Sequence, residues 1–314
     1  MAMPNRWIVA TGDTAPVTQV ALRTLRQRLA VVWLELAHAG TESVHHPERV
    51  HQLRVATRRA LVAIHVFADL IPDRRRRWFE KRLRSIRRTA GEARDLDVLT
   101  QRLFRSQQGP PNLWLPGHAK QIHARLLAML ERQRIASRSP IRRLHQTLQD
   151  ADWSGRVAAM LERVARAKQI VSFRVYARQR FKPMIEDFFD IAGHKLRDAG
   201  ELHALRIEGK NLRYALEIFA AAIPESSRVP CYEQLEQLQE HLGAFTDHAT
   251  AADRFKTWSR AASARSIRAL LRTMHEEEKE MAHEARRGFS RWWNRSRRRS
   301  LRRRLDRSLR RTSA

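Results

Sequence analysis

His51-Gln-Leu-Arg54-Val-Ala-Thr-Arg58-Arg59 returns 152 positions later as His203-Ala-Leu-Arg206-Ile-Glu-Gly-Lys210-Asn211. The register continues without a gap. Phe67-Ala-Asp-Leu-Ile-Pro72 falls on Phe219-Ala-Ala-Ala-Ile-Pro224, Leu83 on Leu235, Gly91 on Gly243 and Asp95 on Asp247. Residues 51–98 and 203–250 share 12 identities in 48 positions. A chain that repeats itself at this length is two copies of one supersecondary unit. What recurs most strictly is a His followed by cations three and seven residues later, a grouping suited to an anion.

Working outward, the apolar pattern around both copies is helical. Val20, Leu25, Leu29, Val32 and Leu36 form one face from Pro16 to a stop at Gly40. A second helix opens near Pro47 and ends before Pro72, and a third runs from about Arg75 to Phe104. Gln107 to Gly117, rich in Gly and Pro, reads as a linker. Helices resume from about 118 to 137 and after Ser139-Pro140. The second copy begins near 170 with a break at Ser226 to Pro230. No alternating apolar run argues for a strand. The expected fold is all-α: two pseudo-twofold-related antiparallel bundles of four helices each, plus a basic C-terminal arm. The repeats are placed at about 15–150 and 165–295, within one domain over 15–295. The Arg-rich tail is 296–314, and removing it is expected to leave a folded protein.

The 314 residues carry a formal charge of +28, with 61 Lys and Arg against 33 Asp and Glu. Such a field favours a polyanionic partner or an acidic surface. Most of the cations are Arg, whose planar fork grips phosphate oxygens two at a time. The charge is uneven. Residues 51–105 hold 15 cations and 6 acids, and residues 200–260 hold 7 and 9. From Arg286 to Ala314 there are 13 Arg and only Asp306 against them. Cys231 is the only cysteine, so no internal disulfide forms and a reducing compartment is expected. No window approaches the roughly 18 uninterrupted apolar residues of a membrane span, and the expected location is the cytoplasm.

His51, Arg54 and Arg58 fall within about 60° of one another on a helix, as do His203, Arg206 and Lys210. A cationic stripe opposite an apolar one also describes an ordinary solvated helix, but such a face has no reason to keep His at the same place twice. In the third helix Arg77, Lys81, Arg84 and Arg88 share a face with no acid expected on it. Like charges so spaced repel by a few tenths of a kcal/mol per pair, which points to an external anion. Asp95 and Asp247, near the ends of equivalent helices, are expected to position a cation of the His-led helix. The Glu-x-x-His spacings at Glu35/His38, Glu42/His45 and Glu280/His283 raise a carboxylate-bridged metal bundle as a minor alternative, set among too many arginines to be favoured. Neither metal nor cofactor is expected.

Three motifs carry a family resemblance: His51-x-x-Arg54-Val-x-x-Arg58-Arg59, Gly91-x-x-Arg94-Asp95-Leu-Asp97-Val98, and His203-x-x-Arg206-Ile-x-x-Lys210-x-x-Arg213-Tyr214. Over about residues 15–295 the chain resembles the CHAD family, the conserved histidine α-helical domain. The resemblance implies two four-helix bundles with a basic cleft or pore. It also implies binding of inorganic polyphosphate, with association with polyphosphate granules. By this likeness Arg59 and Arg213 join the binding set, and Arg94 and Tyr214 the positioning set. Many members are fused to a triphosphate tunnel domain, whose Glu-x-Glu-x-Lys signature is absent here, so the likeness is to the stand-alone form. Asn211 departs from the pattern, standing where a second cation beside Lys210 is expected.

Three functions compete. A polyphosphate binder without chemistry of its own needs cationic stripes and no stacking aromatics, and gains by releasing condensed counterions. A nucleic-acid binder is allowed by the charge, but a single-strand reader would use aromatic platforms, and no helix-turn-helix or zinc pattern appears. A phosphohydrolase acting through His51 or His203 would need positioned metals and a residue that orients water. The first reading fits best. Oligomeric state is not legible in the sequence.

Overall fold

The structure, a computed structural model, describes residues 7–8, 14–41, 46–107, 117–168, 171–194, 196 and 198–310. Eleven α-helices cover these: α1 (Val17–Thr41), α2 (Glu48–Val66), α3 (Asp73–Gln107), α4 (Gly117–Ala136), α5 (Arg138–Asp150), α6 (Trp153–Ala165), α7 (Phe173–Gly193), α8 (Ala199–Ile218), α9 (Glu225–Ala261), α10 (Arg265–Trp292) and α11 (Arg295–Arg310). Among the described residues there is no strand, only one antiparallel bridge between Pro16 and Ser172. The fold is all-α. Residues 108–116 of the expected linker lie outside the described residues.

The chain divides into two compact units. The first-repeat unit comprises Leu25–Ala167 and Ala262–Leu270, and the second-repeat unit comprises Met1–Thr24, Lys168–Ala261 and Leu271–Ala314. In the first-repeat unit α2 packs on α3, α3 on α4 and α5, and α5 on α6. In the second, α8 packs on α7 and α9, and α11 packs on both α9 and α7.

Both repeats turn the corner between their central helices in the same way. α2 closes at Phe67 into a short 3-10 turn, Ala68–Leu70, and α8 closes at Phe219 into Phe219–Ala221. A proline then ends each connection, because the residue before proline is pushed out of helical geometry. The Pro72 carbonyl accepts from the Arg75 and Arg76 amides at 2.9 and 3.0 Å, and the Pro224 carbonyl from Ser227 and Arg228 at the same distances. Asp73 and Glu225 place a negative charge in the first turn of the next helix, where the helix dipole favours it. Asp73 pairs with Arg76 at 2.9 Å and Glu225 with Arg228 at 3.3 Å, an equivalent pair in each copy. The Arg76 guanidinium holds the Asp73 carboxyl below its usual range.

Two expectations need correction. The break expected at Ser226 to Pro230 is absent: α9 runs unbroken from Glu225, with Pro230 in its second turn. So near the start, the missing amide costs a single backbone hydrogen bond. The expected basic arm is a packed helix. Leu301 and Leu305 are fully buried and Leu309 nearly so. Arg298 donates from Nη1 to the Ala192 carbonyl at 2.9 Å, and Arg302 lies 5.0 Å over the Phe189 ring.

Candidate functional site

In the first-repeat unit the short connection through Pro72 makes α2 and α3 an antiparallel hairpin, and Arg54 crosses it. Its Nη1 donates to the Arg87 carbonyl at 3.3 Å. A Cβ added to Gly91 would lie 2.8 Å from that same nitrogen. Gly91 therefore leaves room for the guanidinium where it passes over the neighbouring helix. His51, Arg54, Arg58 and Arg59 are all half-buried, and below them Leu53, Thr57 and Ala60 face the core. The buried Thr57 hydroxyl donates to the Leu53 carbonyl at 2.7 Å.

Arg77, Lys81, Arg84 and Arg88 are all exposed on α3. The expectation that no acid pairs with this stripe is wrong for two of them. Arg84 lies 3.4 Å from Glu80, and Arg77 lies 3.8 Å from Asp73. Both carboxylates sit one turn earlier, a spacing that places them beside their cations. Exposed pairs of this kind are weak, about 0–1 kcal/mol, and among the described residues Lys81 and Arg88 have no ion pair.

The same crossing recurs in the second-repeat unit with more room. A Cβ on Gly243 would lie 3.9 Å from Arg206 Nη2. Burial pushes Arg206 below its usual range, and Asp247 opposes that shift by attraction. The motif members are spread over different depths: His203 is exposed, Lys210 and Asn211 half-buried, and Tyr214 buried. Asn211 donates to Glu208 at 3.2 Å. Arg213 is held by Glu236 on α9 at 3.1 Å, with its guanidinium 5.4 Å from the Tyr214 ring and 5.3 Å from the Tyr232 ring. The repeat register maps Arg77, Lys81, Arg84 and Arg88 onto Val229, Glu233, Glu236 and Glu240. The face that is cationic on α3 is acidic on α9.

Sequence reasoning missed one buried charge cluster. Asp97, on α3, forms an ion pair with Arg138 at the start of α5, and Arg134 of α4 lies 3.6 Å from the same carboxylate oxygen. Arg138 is 1 % exposed and Asp97 4 %. Burial pushes the Asp97 carboxyl up, against the pull of Arg138, Arg134 and Arg94. These partners are 41 residues apart, and no local pattern announces them. Arg94 and Asp95 are half-buried on the same stretch of α3. Of the Glu-x-x-His pairs, Glu42/His45 lies outside the described residues. Among those described, no group of three or more His, Cys, Asp or Glu is placed to hold a metal ion.

No curated protein matches the chain. Solved structures share its fold. A crystal structure of the CHAD domain from the plant Ricinus communis superposes with a TM-score of 0.70 at 20% identity, covering 92% of this chain and 96% of that one. PptA from Streptomyces chartreusis superposes with a TM-score of 0.61 at 19% identity, covering 89% of this chain and 99% of that one. The CHAD domain family model matches residues 23–256, a span that holds both His-led helices and both glycine crossings. The chain belongs to the CHAD family.

Proposed function

We propose that this protein binds inorganic polyphosphate on the joined cationic faces of α2 and α3 and performs no chemistry of its own. His51, Arg54, Arg58 and Arg59 supply one side of that face, and Arg77, Lys81, Arg84 and Arg88 the other. His203, Arg206, Lys210 and Arg213 form a weaker counterpart, because Glu236 already neutralises Arg213 and the neighbouring α9 face is acidic. Arg94, Asp95, Asp247 and Tyr214 position rather than contact the polymer.

The observation that carries this reading is the exposed α3 stripe beside an arginine for which Gly91 leaves room, in a chain of net charge +28. A polymer bearing about one charge per phosphate gains from such a row by counterion release. CHAD membership supports the same partner. Single-stranded nucleic acid fits less well, since it needs ring platforms. Trp78, next to Arg77 in the chain, is already taken up by Trp153 at 6.0 Å, Phe79 at 4.8 Å and the guanidinium of Arg156 at 4.9 Å.

The test is charge reversal at Lys81, Arg84 and Arg88 together, compared with reversal of the exposed Arg125, Arg132 and Arg163 on α4 and α6. Both variants change the net charge equally. A charge-assisted contact is worth about 1.5–3 kcal/mol, so the α3 variant should lose well over tenfold in polyphosphate affinity. The slope of log K against log salt should fall by about 2 units, at roughly 0.7 per contact. Equal losses in the two variants, with circular dichroism unchanged, would refute a localised site. Competition by DNA at matched charge separates the nucleic-acid reading.

A further inference from the structure

α11 lies beyond the family match, and its outer face holds cations that the motif does not use. A surface depression of about 440 Å³ is lined by Ser300, Arg303, Arg304, Asp306 and Arg307. The size is that of a small-molecule cleft, but the described side chains that line it are all polar or charged. Asp306 is engaged by Arg302 at 3.5 Å. Among the described residues no carboxylate pairs with Arg303, Arg304 or Arg307. Arg307 donates from Nε to the Arg303 carbonyl at 3.3 Å, which steadies its guanidinium beside Arg303. The opposite face of the helix buries Leu301, Leu305 and Ser308, so the scaffold beneath these cations is fixed. Their field also reaches inward: burial pushes the Cys231 thiol up to about 11, against a downward pull from Arg304 and Arg307. Unpaired cations one turn apart repel, and an anion between them removes that repulsion.

We propose that this depression is a second anion site, specific for a short oligophosphate held by the forks of Arg303, Arg304 and Arg307 and by the Ser300 hydroxyl. Guanidinium forks match phosphate oxygens in pairs, and cations gathered within about one helical turn suit a compact anion, where the α3 stripe, running from Arg77 to Arg88, suits an extended one. A free oligophosphate and the end of a longer chain present the same group. The site does not depend on the α2–α3 reading, and the two fail separately.

The experiment is calorimetric titration of the full chain with tripolyphosphate, with long-chain polyphosphate, and with long-chain polyphosphate whose two ends are blocked as amides. The variants are Arg303→Gln/Arg307→Gln and Lys81→Glu/Arg84→Glu/Arg88→Glu. The glutamine pair should weaken tripolyphosphate binding at least tenfold, while the α3 variant retains it. An unchanged affinity in the glutamine pair, or a loss confined to the α3 variant, overturns the proposal. Dependence on Arg303 and Arg307 for the open-ended chain but not the blocked one supports capture of a chain end. Equal dependence for the blocked chain overturns the short-phosphate specificity. Vesicles containing phosphatidylserine form a further arm. Capture that needs Arg303 and Arg307, without tripolyphosphate binding, overturns the proposal in favour of a lipid surface. Should the pair lose helical signal, the single variants Ser300→Ala and Arg303→Gln decide: reduced tripolyphosphate affinity supports the site, and unchanged affinity in both overturns it.

Discussion

Gly91 and Gly243 hold equivalent places in the two repeats, yet a methyl group would meet different surroundings at each. At Gly243 the nearest atom, Arg206 Nη2, is 3.9 Å from the added carbon, an ordinary contact. Alanine there should stabilise the protein by up to about 1 kcal/mol through helix propensity alone. At Gly91 the added carbon falls 2.8 Å from Arg54 Nη1, so the guanidinium must leave the Arg87 carbonyl. That bond is long and half-buried and the guanidinium is a flexible end that can move aside, so its loss, about 1 kcal/mol, offsets the propensity gain. Gly209 is tighter still, with Gln239 Nε2 at 2.6 Å and Leu238 Cδ2 at 3.0 Å, and overpacking of this kind costs about 1–3 kcal/mol. Urea unfolding should therefore rank Gly243→Ala above wild type and Gly209→Ala below it, with Gly91→Ala close to wild type. Gly91→Ala should also weaken polyphosphate binding, because it moves Arg54. A stabilised Gly91→Ala with unchanged affinity would show that the crossing has no role in binding.

At the scale of elements, α11 shows why part of the fold was hard to read. Its leucines at 301, 305 and 309 follow helical spacing, so the packing signal was present. The surrounding arginines made the segment look like a mobile arm, and only contact with α7 and α9 shows that three apolar residues suffice to seat it. The α2–α3 hairpin was legible because Pro72 marked its corner, whereas in the second copy the break was placed at Ser226 to Pro230 and the corner lies at Phe219 to Pro224. Asp97 with Arg138 was not legible, since a contact across 41 residues leaves no periodic trace. The pairing of Arg84 with Glu80 was legible in principle from the i,i+4 spacing alone. The seating of α11 has a direct consequence. Leu305→Ala, at a site with no exposure, should cost about 2–5 kcal/mol. Removal of residues 296–314 should lower the melting temperature markedly rather than trim a loose end. A truncated chain that melts with the full one would mean α11 contributes nothing to the second-repeat unit.

For the whole molecule, a charge of +28 at neutral pH is a standing repulsion, and acid adds to it through the histidines. Burial holds His123, His145 and His241 below the ordinary histidine value of 6.5, with Glu240 and Arg297 acting in opposite senses on His241. In the unfolded chain these rings take up protons as pH drops below about 6.5, while the folded protein resists until lower pH. The unfolded state then binds more protons, so stability rises with pH across that window. The stabilisation from neutral, buried histidine is complete above about 6.5 and is lost as pH falls through the depressed folded values. Asp97 has the opposite sign, because burial raises its folded value and favours the fold as its carboxyl protonates. A single substitution isolates the histidine contribution. His145 lies against Trp33 at 4.5 Å between ring centres, and its Nε2 is buried with no hydrogen-bond partner among the described residues. His145→Phe keeps the ring contact and removes both the titration and the unsatisfied nitrogen. Melting temperatures measured from pH 7.5 to 5 should fall less steeply for His145→Phe than for the unaltered protein. Parallel curves would mean that the acid sensitivity comes from the net charge and not from the buried rings.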